Sequence, residues 1–445
     1  MTKSETTNPV PPSGKVTQVV EHFFRHEAGR IVSTLTRIFG IEHLNRAEDV
    51  VQEALARALQ TWPYYGIPRN PSAWITQVSK NLALDLIRRE KIFRNKEIEI
   101  AHSVEQGFAD SAGNDAMFAE EEINDDRLRM MFVCCHPLVP QEAQVALALK
   151  TLCGFSAAEI ARAFLTSEAA IAKRLTRAKQ KIREARVPFE IPTGQELTQR
   201  LDSVLQTLYL LFNEGYKASV GEQLIREELC REAIRLGALL AEHPTGSRPR
   251  THALVALMLL NSARLRSRMD LDGNILRLKE QDRSCWDQVM IARGLFHLMQ
   301  STAGDEPSEY HLQAGIAACH CAAKDYDSTD WPRILSLYDR LIEMDDSPVV
   351  ALNRAVAVAN VHGAKAGIEA VEAIQNREQL NSYYLLYVVL GEFEAHLSNR
   401  QAAINYFRKS LELATIQSEQ MFLSKKLQDL GDSRESAGST GRARS

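Results

Sequence analysis

The chain has 445 residues, of which 45% are hydrophobic and 25% charged, with a formal net charge of −4. That length predicts two to four domains with buried cores. No apolar run approaches a membrane span and the polar, Pro-containing N-terminus has no signal-peptide core, which excludes a membrane partner and predicts a cytoplasmic protein.

Residues 1–15 read as a loose leader. After them almost every periodic segment has helical spacing and is rich in Ala, Leu, Arg and Glu, so the fold class is all-α. A first helical domain is expected over 16–98, with helices from His22 to Phe39, Arg46 to Trp62 and Pro71 to Arg94. The break from Trp62 to Pro71 holds too many Pro and Gly to be helical and reads as an aromatic, partly basic loop. In the second helix Val50, Val51, Ala54, Leu55 and Ala58 form an inward face, leaving Glu48, Asp49, Gln52, Glu53 and Arg57 for a partner. The third helix combines Trp74 with Asn81, Asp85, Arg88 and Arg89, a mixture that suits open DNA: aromatic rings stack on unpaired bases while Asn and Arg bond base edges and phosphates. The same residues also fit a plain helix with Trp74, Ile75, Val78, Leu82 and Ile87 as core.

Charge then changes sign along the chain. Ala101 to Asp126 holds eight acidic residues and no Lys or Arg, and 99–126 reads as a linker. Lys150 to Arg186 holds nine Lys or Arg against three Asp or Glu. Within that basic stretch, in a small domain over 127–187, two short helices are predicted, each opened by a serine, Ser156 and Ser167. Ile160, Ala161 and Phe164 form the apolar face of the first; Ile171, Leu175, Ala178 and Ile182 that of the second. Leu165 and Thr166 supply the turn. The pattern is that of a helix-turn-helix, with Glu168, Ala169 and Ala172 toward base edges in the major groove and Lys173, Arg174, Arg177, Lys179 and Lys181 toward phosphates.

From 196 to 430 the spacing predicts a long helical array whose later windows resemble tetratricopeptide units, with Ala322, Ala355 and Gly391 at equivalent points; in the last, Tyr387, Leu390, Gly391, Ala403 and Phe407 sit at the pattern's intervals. Such helix pairs stack into grooves that hold a peptide or partner helix. Residues 269–287 are polar and aromatic enough for an interaction site and equally fit a hydrogen-bonded loop. The tail, 431–445, reads as disordered. The seven cysteines, at 134, 135, 153, 230, 285, 319 and 321, form no CxxC pair and are expected to be buried thiols, with Cys319 and Cys321 open to oxidation. No Walker loop, dinucleotide fingerprint, HExxH or nucleophile elbow is present; catalytic residues, metal and cofactor are all expected to be none.

Taken together, Ala47-Glu-Asp-Val-Val-Gln-Glu-Ala54, the Trp74–Arg89 segment and the helix-turn-helix resemble a bacterial RNA polymerase sigma factor of the extracytoplasmic-function type. Leu208–Tyr216 and Gln281–Asp287 resemble the C-terminal extension of one subgroup. The resemblance implies sigma region two over 16–98 and region four over 127–187, with core RNA polymerase and promoter DNA as partners. It further implies that Asp49, Gln52 and Glu53 dock on the clamp helices of the largest subunit and that region four meets the flap region. Trp74, Asn81, Asp85, Arg88 and Arg89 would melt or read the minus-10 element, and Glu168 to Lys181 the minus-35 element. A helix-turn-helix regulator with a C-terminal sensor array is the alternative; residues 47–89 have no purpose in it.

Overall fold

The computed structural model describes residues 27–89 and 125–431, together with 16, 17, 19, 20, 23, 103 and 104, and apart from 165, 193, 219–224, 245, 271–273 and 304–306. The expected leader, most of the acidic linker and all but the first residue of the tail lie outside these. Among the described residues the structure is helical, and the sole β feature is an isolated bridge between Met269 and Ile275. The chain divides into two compact units, Met1–Leu211 with Glu242–Ser247 and Phe212–Ala241 with Arg248–Ser445.

The first unit begins with α1 (Ala28–Phe39), α2 (Leu44–Tyr65) and α3 (Pro71–Arg89). Helix α2 runs past its expected end at Trp62, through Pro63 to Tyr65. Pro63 supplies no backbone donor to this last turn, and Gly66, at φ 84°, closes the helix by donating to the Trp62 carbonyl. Then follow α4 (Asp126–Cys134), α5 (Gln141–Leu152), α6 (Ala157–Ala163), α7 (Glu168–Ala185) and α8 (Gly194–Tyr216), of which Phe212 to Tyr216 belong to the second unit.

Helices α1 to α3 are not separate from α4 to α7. Gly29 of α1 lies so close to the C-terminus of α5 that a Cβ there would collide with the Leu152 carbonyl. That carbonyl also accepts from the buried Arg127 guanidinium at 2.7 Å. Asp126 accepts from Thr34 at 3.2 Å and from Arg37 at 3.0 Å. The start of α8 belongs with this unit too: Arg200, almost wholly buried, reaches the Phe132 carbonyl at 3.4 Å.

The second unit comprises α9 (Glu227–Glu242), α10 (Pro249–Ser262), α11 (Gln288–Gln300), α12 (Glu309–Ala322), α13 (Trp331–Met344), α14 (Pro348–His362), α15 (Ala364–Glu372), α16 (Tyr384–His396), α17 (Arg400–Leu413) and α18 (Gln417–Asp429). Helix α10 is its centre: every residue from Ala253 to Leu260 is buried, the pattern of a helix covered on all sides. From α12 onward the helices pair in sequence with small residues at the crossings. A Cβ on Gly391 would meet the Phe407 ring, which explains the Gly391 and Phe407 spacing of the last unit. Ala322, by contrast, is exposed at the end of α12; the small residue at that crossing is Gly315, against Leu337. Long-range ion pairs tie the array together. Glu392 receives Arg277 and Lys426, each at 2.8 Å, and Glu419 receives Lys217 at 3.4 Å.

Candidate nucleic-acid interface

Helix α6 starts at Ser156 because two groups there satisfy each other's donors. The Ser156 hydroxyl accepts from the Glu159 N–H at 3.1 Å while the Glu159 carboxylate accepts from the Ser156 N–H at 2.7 Å. Helix α7 starts at Ser167, whose hydroxyl accepts from the Ala170 N–H at 3.3 Å. Position 165 of the turn lies outside the described residues; on either side of it, the Thr166 N–H reaches the Ala161 carbonyl at 2.8 Å. Ile171, Leu175, Ala178 and Ile182 are buried as their spacing requires. Glu168, Ala169, Ala172, Lys173, Arg177 and Lys181 are exposed on the other side, an uncovered helix N-terminus followed by cations, as a major-groove reader needs.

Not every expected contact residue is open. Lys179 is half-buried, and its ammonium lies 2.5 Å from the Glu48 carboxylate on α2, which also accepts from Thr151 at 3.5 Å. Arg174 is half-buried and paired with Glu142 at 2.8 Å. The Lys181 ammonium donates to the Leu138 carbonyl at 3.2 Å. Burial, with the Lys179 charge second, pulls Lys150 below the ordinary lysine value. A cleft of about 300 Å³ lies beside the Lys179 contact, lined by residues of 41–45 and 176–183.

On α2, Asp49, Gln52 and Glu53 are exposed on one side while Val50, Val51, Ala54 and Leu55 are buried on the other. Glu53 pairs with Arg57 at 2.9 Å. On α3, Ile75 and Ile87 are core, and Val78 and Leu82 are half-buried. Trp74 is half-buried, its ring 5.4 Å edge-on from the fully buried Trp62. The polar residues stand clear: Asn81 accepts from Gln77 at 3.0 Å, Asp85 lies 3.7 Å from Arg88, and Arg88 and Arg89 end the helix exposed. Tyr64 and Tyr65, in the break expected to be an aromatic loop but not singled out there as contact residues, have relative exposures of 79% and 86%. Two aromatics inside a Pro- and Gly-rich break were the available signal.

Cys134, Cys135, Cys153 and Cys230 are buried as expected, but Cys285 is exposed, because it lies in a short 3-10 turn rather than on a packed helix face. Burial pushes the Cys135 thiol up to about 12. Among the described residues no group of three or more His, Cys, Asp or Glu is placed to hold a metal ion, and no helix is long and apolar enough to cross a membrane.

Comparison with known proteins agrees with this geometry. Residues 23–92 match sigma-70 region 2, residues 129–182 match sigma-70 region 4, and residues 200–302 match a family of unknown function (DUF6596). An uncharacterized protein of Rhizobium meliloti (strain 1021) is 38% identical over 404 residues, covering 90% of this chain and 93% of its own length. No solved structure matches significantly. An exposed acidic helix face, an arginine-ended aromatic helix and a basic helix-turn-helix thus coincide with the two sigma regions, and the chain belongs to the sigma-70 family as an extracytoplasmic-function-like sigma factor with a C-terminal helical extension.

Proposed function

We propose that this sigma factor distributes its contacts as follows. Asp49, Gln52 and Glu53 dock on the clamp helices of the largest polymerase subunit. Trp74, Asn81, Asp85, Arg88 and Arg89 engage the minus-10 element, with Tyr64 and Tyr65 offering faces on which unpaired bases stack. The N-terminal half of α7 reads the minus-35 element: Glu168, Ala169 and Ala172 face bases, Lys173 and Arg177 face phosphates, and Arg174, Lys179 and Lys181 join them once their present partners are exchanged. The polymerase performs the chemistry and this chain supplies specificity. The C-terminal extension modulates that activity by holding a peptide or partner helix.

The observation that carries this reading is the division of α7 into a buried apolar side and an exposed basic side behind a capped N-terminus. A second consequence concerns distance. Minus-10 and minus-35 elements lie about 25 base pairs apart, roughly 85 Å at ~3.4 Å per pair, whereas α1 touches α5 directly. Engaging both elements therefore requires α1–α3 to part from α4–α7. Residues 90–125 connect them, and a segment of that length cannot exceed roughly 130 Å fully extended, enough for the separation. Weak promoter binding by the protein alone follows.

The test is in vitro transcription with purified bacterial core polymerase on pooled genomic fragments, sequencing RNA 5′ ends with and without the protein. New start sites sharing two spaced upstream elements are expected. If none appears with the full chain or with a form ending near residue 218, which keeps α8, the assignment of promoter contacts is wrong.

A further inference from the structure

In the second unit, hydrogen-bond donors without acceptors gather at one junction. Tyr216 ends α8, and two guanidiniums lie over its ring, Arg268 at 4.0 Å and Arg264 at 5.6 Å from the centroid. Arg268 donates to the Tyr216 carbonyl. Among the described residues neither arginine has a carboxylate partner. The neighbouring cations are already engaged: Lys217 with Glu419 at 3.4 Å, and Arg283 with the His320 carbonyl at 2.7 Å and the Thr329 hydroxyl at 2.9 Å. Among the described residues, the Tyr216 hydroxyl, Arg264 Nε and Ser267 Oγ are buried and find no hydrogen-bond partner, and Arg283 Nε and the Trp286 indole N–H, close by in sequence and stacking, find none either.

These groups share a chemistry. Each can donate, and guanidinium N–H groups can do nothing else. Two positive charges over one ring repel, and no carboxylate among the described residues neutralises them. Burial, with the Arg264 charge adding to it, lowers the Arg268 guanidinium below its ordinary value, and burial, with the charges of Arg264 and of the neighbouring Arg283, holds His320 neutral, down at about 3. A junction of surplus positive charge and unmet donors is complementary to an acceptor carrying negative charge, and the planar fork of arginine matches oxyanions in particular. Both arginines are half-buried, so a small anion fits the access better than a nucleic-acid strand.

We propose that the Tyr216, Arg264 and Arg268 junction binds a small oxyanion of the phosphate class, held by both guanidiniums and by the Tyr216 hydroxyl. The site lies in the extension, apart from the residues assigned to promoter and polymerase, and would give that extension a small-molecule input.

The experiment is thermal unfolding and isothermal titration of the full-length protein with inorganic phosphate, against sodium chloride at matched ionic strength, with citrate as a carboxylate arm. A saturable rise in Tm with phosphate is expected, weakened on the order of tenfold in Arg264→Gln, since a charge-assisted hydrogen bond is lost. Arg264→Lys should recover part of it, retaining charge without the fork. Arg268→Gln should abolish it; should that variant fail to fold by far-UV circular dichroism, the two Arg264 variants decide. A response no greater than chloride, or one unchanged in Arg264→Gln, overturns the site. Saturable binding of citrate without phosphate overturns the phosphate class.

Discussion

The two units handle polar groups in opposite ways. In the first, the proposed contact residues lie mostly on exposed faces: α2, α3 and α7 each bury an apolar side and present charge outward, and among the described residues the buried donors without partners, such as the Trp62 indole and Ser79 hydroxyl, are scattered singly. In the second, helices such as α9 and α13 also turn charge outward, as with Arg231, Arg235, Arg333 and Arg340, but among the described residues the unmet donors concentrate around Tyr216, Arg264 and Trp286. A surface reader of DNA declares itself through charge periodicity. A binding site inside a helical array declares itself only through what its interior leaves unsatisfied.

The largest effect that separates the units should come from reversing the acidic face of α2. Asp49→Lys with Glu53→Lys is expected to weaken core polymerase binding by roughly a hundredfold or more, since several charge contacts across an interface change sign. Fluorescence titration of labelled protein with core enzyme measures it. Unchanged affinity would move the docking face elsewhere, and neither substitution should alter phosphate binding in the second unit.

Next in size is the promoter side. Arg177→Ala removes an exposed cation, and transcription from the identified promoter should fall roughly tenfold, with the slope of log activity against log salt reduced by about one. Arg174→Ala is expected to do less, because that guanidinium is already paired with Glu142 at 2.8 Å. Equal effects of the two would mean that the Glu142 pair opens on DNA at no cost.

Much of the first unit was legible in sequence for a physical reason: caps, helical periodicity and a run of cations are local properties. Ser156, Ser167 and the Ile171, Leu175, Ala178, Ile182 stripe could be placed without tertiary information, and so could Gly391 and Phe407, sixteen positions apart in one repeat. The Lys179 to Glu48 contact could not, because it joins residues 131 positions apart. Nor could the Arg264 junction, whose members come from α8 and from the irregular segments after α10, where no periodicity applies.

Packing within the first unit offers a smaller but sharper test. Gly29→Ala forces a methyl group onto the Leu152 carbonyl, and overpacking of this kind costs about 1–3 kcal/mol. If α1 must leave α5 for promoter binding, the same substitution favours the separated arrangement, so stability of the first unit should fall while promoter binding by the protein alone rises. Stability and binding falling together would show that the contact is structural only.

The second unit should respond to acid. Burial, then the His252 charge, lowers His297 to about 4, and the two imidazoles lie 2.9 Å apart through their Nδ1 atoms. An unfolded histidine titrates near ~6.5, so between that value and about 4 the unfolded chain binds protons that the folded one does not, and stability is lost as pH falls through this window. Hydrogen exchange of peptides within α10 and α11 should show protection present at pH 7.5 and declining toward pH 5. His297→Gln should flatten that decline, and a flat profile in the native protein would remove the imidazole pair as its cause.

The smallest expected effects are the most diagnostic of which unit does what. Ser156→Ala removes the hydroxyl half of the α6 capping box, and Asp330→Ala removes a carboxylate that accepts from the Arg333 N–H at 2.9 Å to start α13. Each loss is worth about 1 kcal/mol. Because α6 sets the position of α7, Ser156→Ala should lower promoter-dependent transcription several-fold at a temperature where the protein remains folded, without touching phosphate binding. Asp330→Ala loosens a helix of the array, so its cost should appear as faster exchange in α13, with minus-35 recognition intact. Should Asp330→Ala reduce transcription as much as Ser156→Ala does, the array would be coupled to promoter recognition through its folding, and the separation of surface reader from buried site would have to give way to a single cooperative machine.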